Sequence, residues 1–278
     1  MSDPFAPIAL ERDGARAEVR AYGAHVTSWT TPDGDERLYL SARSAYRAGA
    51  AIRGGVPVIF PQFATEGPGP RHGFARTRAW ETIARGDDAS ASFRLVDDDD
   101  TRAAWPHAFD ATYDVALVAD ALTLTLAVTN TGDAPARFTA ALHTYLRVRD
   151  VAAVSIDGLR GIRHRDQTAG GVERVEDAAS LRFDGEVDRV YLDVPNAVTL
   201  REDGAPDRAL VVDAAGFPDV VVWNPGAEKA AALADLDPDG WRRFVCIEAA
   251  AIARPVELAP GEEWRGTQRL RVGAHRAP

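Results

Sequence analysis

Apolar and polar residues alternate with a period of two along most of this chain, and β-branched residues cluster in the same short runs. The pattern predicts strands at Ala17 to Trp29, Ser92 to Val96, Tyr113 to Val118, Leu122 to Val128 and Arg137 to Val148. It continues at Ala153 to Ile156, Val190 to Val194, Val198 to Arg201, Ala209 to Val212, Val220 to Trp223, Phe244 to Glu248 and Trp264 to Val272. Turn signals punctuate these runs: Asp13-Gly14, Asp33-Gly34, Asn130-Thr131-Gly132, Asp157-Gly158, Asp203-Gly204 and Pro260-Gly261. Helical periodicity of useful length is nearly absent. Many short strands with regular turns predict an all-β fold, a large antiparallel β-sandwich with few short helices. No composition shift, repeat or low-complexity linker divides the chain, so residues 1–278 are expected to form a single domain. The acidic run Asp97 to Asp100 falls between two strands and is expected to be a solvated loop.

Composition narrows the partners. The 278 residues carry 32 lysines and arginines against 42 acids, a formal net charge of −10. An acidic chain lacks the extended basic face that nucleic acid or an anionic membrane surface requires. The N-terminus shows no basic stretch followed by an apolar core, and no apolar run reaches the roughly 18 residues needed to span a bilayer. A cytoplasmic protein is therefore expected; separately, a monomer with a small-molecule partner is expected. Cys246 is the sole cysteine, which excludes an internal disulfide, and its apolar surroundings suit a small buried core residue. Lys229 is the sole lysine, beside Glu228, a poor setting for a desolvated amine nucleophile.

Against the acidic background, residues 43–78 hold six arginines and one acid, Glu66. Arg53 precedes a Gly-Gly pair, and Arg71 and Arg76 bracket His72-Gly73. Glycines permit close backbone approach and guanidinium forks make bidentate contacts, a combination that can wrap an anion. Surface arginines paired with the many acids are the alternative. The nucleotide cradles GxxxxGK[ST] and GxGxxG are missing. The six histidines are scattered without metal-ligand spacing, so no metal site is expected.

Three strand residues could carry chemistry. In Phe138 to Val148, alternation places Phe138, Ala140, Leu142 and Leu146 on one face, with Thr139, Ala141, His143, Tyr145 and Arg147 on the other. His143 either faces a ligand or is a structural histidine. Glu248 closes the run Phe244 to Glu248 on the face of Phe244 and Cys246; in a cleft, desolvation would raise its pKa toward the general-base range, and otherwise it faces solvent. Trp223, before an Asn-Pro-Gly turn, is either a platform for a sugar ring or core.

The strings RGGVPVIFPQF, HGFAR with a following Trp80, LHTYLRV, VDRVY, VVVWNP, and CIE followed by VELAPGEEW occur in this order along almost the whole chain. Together they resemble the hexose-6-phosphate mutarotases, or glucose-6-phosphate 1-epimerases, of the galactose-mutarotase-like superfamily. The resemblance implies a supersandwich fold and interconversion of α and β hexose 6-phosphate anomers without metal or organic cofactor. His143 and Glu248 match the family's catalytic pair. Arg53 and Arg76 match positions that help hold the phosphate, Asp188 one that contacts sugar hydroxyls, and His72 a second sugar contact. Two departures stand out: Arg71 replaces a residue that is often polar and uncharged, and AAAIARPVEL follows Glu248 where the family usually turns at Pro-Gly. The alternatives are an aldose 1-epimerase acting on unphosphorylated sugars and a non-catalytic sugar-phosphate sensor.

Overall fold

In a computed structural model, which describes residues 3–273, three antiparallel sheets account for the alternating runs. A nine-stranded sheet and an eight-stranded sheet face each other, and a three-stranded N-terminal sheet completes the structure. Side chains of both large sheets meet in one apolar core. Leu122, Leu124, Leu126 and Val128 of the first sheet join Phe138, Ala140, Leu142, Val245, Ile247, Val220 and Val222 of the second. Period-two alternation produces this directly, since every second residue of each strand points inward.

The eight-stranded sheet is unusual in burying its outer face as well. Ile59, Ala141, Val190, Val221 and Ala250 form one apolar cluster there, and Tyr39, Tyr145, Phe244 and Cys246 form another. Segments 39–44, 61–73 and 233–240 flank this face. The second is anchored by Phe60, whose ring meets Phe74, Trp105, Phe109 and Phe138 edge-on at 5.2–6.0 Å. Gln62 then folds it back, accepting from Gly69 N at 2.7 Å and donating to Gly69 O at 3.2 Å. Such a Gly/Pro-rich segment is held by side-chain hydrogen bonds because it has no ladder of its own.

Several expectations change. Ala17 to Trp29 is two strands, Ala15–Arg20 and His25–Thr30, because Gly23 and Ala24 turn the chain with φ of +74° and +47°. The acidic run is a helix start: Asp98 caps the helix Asp99–Ala104 by accepting from Thr101 N at 2.8 Å, and Thr101 returns a bond to Asp98 N. Asp97 pairs with Arg102 and accepts from Phe109 N. Like charges are favourable there because the first turn of a helix presents unpaired N–H groups. Glu248 does not close its strand, which runs Phe244–Leu258 and absorbs the AIARP stretch through a register shift between Ala251 and Val256. Arg137 to Val148 breaks at His143 and Thr144 into Ala136–Leu142 and Tyr145–Arg147. Among the described residues no helix is long and apolar enough to cross a membrane.

Candidate active site

The break at His143 keeps the strand in register. Leu142 pairs with Ala249 before it and Tyr145 with Cys246 after it, so His143 stands directly across from Glu248. Its backbone N–H donates to Pro57 O at 3.0 Å, one residue beyond the Leu142–Val58 pair, while Thr144 O accepts from Ile247 N at 3.1 Å. A buried glutamine from the opposite sheet, Gln268, fixes this geometry. Thr144 Oγ1 donates to Gln268 Oε1 at 2.5 Å, and Gln268 Nε2 donates to Ile247 O at 3.1 Å. Gln268 is completely buried in the core, where an unsatisfied amide would be costly. Gln268→Leu should therefore free Thr144 and Ile247 O and lower stability by about 2 kcal/mol; unchanged urea unfolding would contradict this role.

Two rows of side chains cross the outer face. His143, Glu248 and Val221 form one; Tyr145, Cys246, Trp223 and Asp188 form the next. His143 Nε2 lies 3.3 Å from Glu248 Oε1, and Glu248 is only 1% exposed. His143 Nδ1 and Glu248 Oε2 are buried without a protein partner. Burial pushes the Glu248 carboxyl well up, aided by the charge of Asp188, while Arg76 and Arg71 pull the other way. Burial pushes His143 well down, and His72, Arg76 and Arg53 reinforce that direction. Each group is driven toward its neutral form, so the pair holds a single proton between them.

Aromatic and basic side chains enclose the pair. The Tyr145 ring stacks on His143 at 4.9 Å and 11°, and half-buried Trp223 meets His143 edge-on at 5.8 Å. His72 approaches His143 at 5.7 Å from a left-handed backbone, φ +64°. Its Nδ1 accepts from Ala64 N at 3.2 Å, which leaves the proton of the neutral ring on Nε2. Burial, then the charges of Arg76, Arg71 and Arg53, lower its pKa to about 3. Asp188 is raised by burial, with Lys229 Nζ 3.8 Å away offsetting part of the effect. Lys229 is also bound to Glu186 at 2.6 Å, so the lone lysine is an ion-pair partner.

The three arginines have different environments. Arg53 is held on its Nε and Nη2 edge by Asp235 at 3.2 and 3.1 Å, and its Nη1 donates to Tyr145 OH at 3.0 Å. Arg76 donates from Nη2 to Arg71 O at 3.0 Å, but its buried Nε has no partner. Burial lowers the pKa of Arg76 to about 10, Tyr145 offsetting part of this and Arg53 adding to it. Arg71 is exposed, and its charge reaches His72, Asp188 and Glu248. The structure thus gathers His143, Glu248, His72, Trp223, Asp188, Arg53, Arg71 and Arg76 on one face. Alternation puts Tyr145 on the face of His143 without giving it a role, and Asp235, Thr144 and Gln268 carry no signal in the sequence. Asp235 lies 182 positions from Arg53, and no local spacing links them.

A β-supersandwich whose outer sheet face carries this histidine–carboxylate pair defines an isomerase of the mutarotase type. The chain belongs to the aldose 1-epimerase family, whose model matches residues 7–271. A relative from Cenchrus ciliaris, described as a candidate glucose-6-phosphate 1-epimerase, is 36% identical, the alignment covering 96% of this chain and 87% of the relative. A relative from Escherichia coli K12 with the same description is 33% identical over 95% of this chain and 90% of its own length. The crystal structure of a candidate mutarotase from Salmonella typhimurium superposes with a TM-score of 0.89 at 29% identity, covering 99% of this chain and 92% of that one.

Proposed function

We propose that this epimerase interconverts the α and β anomers of a hexose 6-phosphate, with glucose 6-phosphate as the first candidate. The observation that favours a phosphorylated sugar is Arg76, a half-buried arginine whose buried Nε has no protein partner, beside Arg53 and a short distance from the acid–base pair. Burying an arginine charge is costly unless an anion meets it. The plant and bacterial relatives described as glucose-6-phosphate 1-epimerases point the same way.

Glu248 acts as general base on the anomeric hydroxyl and His143 as general acid on the ring oxygen. The O1–H proton passes to Glu248, the C1–O5 bond breaks, and O5 takes the proton of His143 as C1 becomes an aldehyde. Rotation about C1–C2 presents the other carbonyl face, and the reverse transfers close the opposite anomer. Atoms and charge balance without metal or organic cofactor. Before reaction the shared proton must sit on His143, across 3.3 Å from Glu248. The charges of Arg76 and Arg53 oppose this, and a bound phosphate dianion cancels them, so substrate binding arms the acid. Trp223 offers its face to the sugar ring, and Asp188, His72 and Arg71 line the hydroxyl side. The core shared by both sheets supports the expected single domain among the described residues 3–273, and a charged sugar phosphate, which membranes retain, supports a cytoplasmic setting.

Exchange of anomers by NMR on glucose 6-phosphate and on glucose tests this reading. Arg76→Ala should lower kcat/KM on the phosphorylated sugar by about 100-fold more than on glucose, as loss of a charge-assisted bidentate contact implies. Equal losses on both sugars would assign the activity to unphosphorylated aldoses. A pH profile on glucose, which lacks phosphate ionisation, gives a further expectation. The one-proton pair persists from the lowered pKa of His143 to the raised pKa of Glu248. The rate should therefore be flat through the ordinary histidine value of about 6.5, and an acid limb centred there would refute the assignment of a buried neutral His143.

A further inference from the structure

We infer that Tyr145 is a positioning residue that joins the two halves of the site, its hydroxyl fixing Arg53 and its ring fixing His143. The inference rests on the reading above, in which Arg53 meets phosphate and His143 moves a proton. Tyr145 is 2% exposed and occupies the row next to the His143–Glu248 pair. Its hydroxyl accepts from Arg53 Nη1 at 3.0 Å, and its ring lies nearly parallel to the imidazole at 4.9 Å. The ring is itself clamped: Phe244 sits at 5.0 Å on its own strand partner, and Trp223 stands edge-on at 6.1 Å. Few side chains could do both tasks, because one end must be a neutral hydrogen-bond acceptor and the other a flat apolar wall. Burial keeps the phenol neutral by pushing its pKa up, and Arg53 offsets only part of that.

The consequence for recognition follows from counting donors. A guanidinium has five N–H groups. Asp235 takes two of those of Arg53 and Tyr145 takes a third, which leaves two for a ligand. With both partners in place the fork cannot rotate, so its remaining donors are held in one direction and little side-chain entropy is lost when phosphate binds. The same tyrosine ring blocks one face of His143, so the imidazole meets substrate through its edge. Tyr145 thus sets the angle of the proton donor relative to the phosphate grip, which is the geometric requirement for one rigid hexose 6-phosphate to engage both.

Two substitutions separate the tasks. Tyr145→Phe keeps the ring and removes the hydroxyl; kcat/KM on glucose 6-phosphate should fall about tenfold more than on glucose, mostly through KM, and the inhibition constant of inorganic phosphate should rise in parallel. Tyr145→Leu removes the wall as well. Both sugars should then lose kcat, and the acid limb of the glucose pH profile should move up as water reaches His143 and eases its protonation. Tyr145→Phe losses that are equal on the two sugars, or absent, would overturn the inference, and this arm stands even where the leucine variant does not fold. Arg53→Ala tells the two levels apart. Discrimination between sugars by Arg53→Ala but not by Tyr145→Phe removes the tyrosine's role alone, whereas discrimination by neither removes the phosphate reading with it.

Discussion

Glu248→Gln should reduce anomerisation about 1,000-fold above the spontaneous background while the protein becomes more stable, not less. The activity loss follows from chemistry: an amide keeps the shape and one acceptor but cannot take the O1 proton, and positioned general bases contribute factors of about 100 to 10,000. The stability gain follows from burial. Glu248 is 1% exposed, its Oε2 has no partner, and its pKa is raised well above the ordinary carboxylate value. A raised folded-state pKa means that the folded protein keeps a proton that the unfolded chain gives up. Its stabilising contribution is complete below the unfolded pKa and is lost as pH rises through the folded one. At neutral pH the wild-type protein therefore carries a penalty that glutamine removes, worth ~1 kcal/mol and a rise in Tm of about 2 °C. The gap between variant and wild type should narrow toward pH 4. A Tm that falls equally at all pH values would show that Glu248 is structural. His143→Ala should remove activity to a similar degree, since it deletes the other half of the one-proton pair.

Gly73→Ala should be the most damaging single-atom addition in the chain. The residue has φ +69°, and a Cβ placed there would sit 2.0 Å from Phe60 O and 2.3 Å from Phe60 C. Both are backbone atoms of a segment locked by five aromatic rings, so the neighbour cannot give. The left-handed backbone and the overlap together imply a loss of ~3 kcal/mol or more, and the segment must move to relieve it. That segment carries Arg71 and His72 and leads into the turn Ala75–Thr77 that holds Arg76, so kcat/KM should fall with stability even though no side chain of the site has been changed. Normal urea unfolding and normal rates would show that the segment tolerates displacement and that its shape does not set the site.

The fold was largely legible because it rests on a local regularity. Alternation in Leu122 to Val128 or Val220 to Trp223 reports a strand and its inward face regardless of which strand lies beside it. The same logic placed His143 and Tyr145 opposite Leu142 and Leu146, and this assignment survived the break at Thr144 because the two pieces share one register. It failed where a side-chain cap or a left-handed turn overrode the pattern. Asp98 turned an acidic loop into a capped helix, and Gly23 with Ala24 cut a strand in two. The expected strand end at Glu248 was wrong because the strand accommodates AIARP by shifting register rather than turning.

For the site, the sequence by itself determined the residue types: a histidine and a glutamate on strand faces, an arginine-rich glycine loop, and motif strings shared with one family. Only the tertiary structure decided that His143 and Glu248 face each other at 3.3 Å, that Arg53 is already committed to Asp235 and Tyr145, and that the Nε of Arg76 is buried without a protein partner. The physical reason is the range of the forces involved. Strand formation depends on residues two apart, whereas the pairing of strands 105 positions apart is set by the whole core. Burial, which drives His143 and Glu248 toward neutrality, exists only once that core has formed.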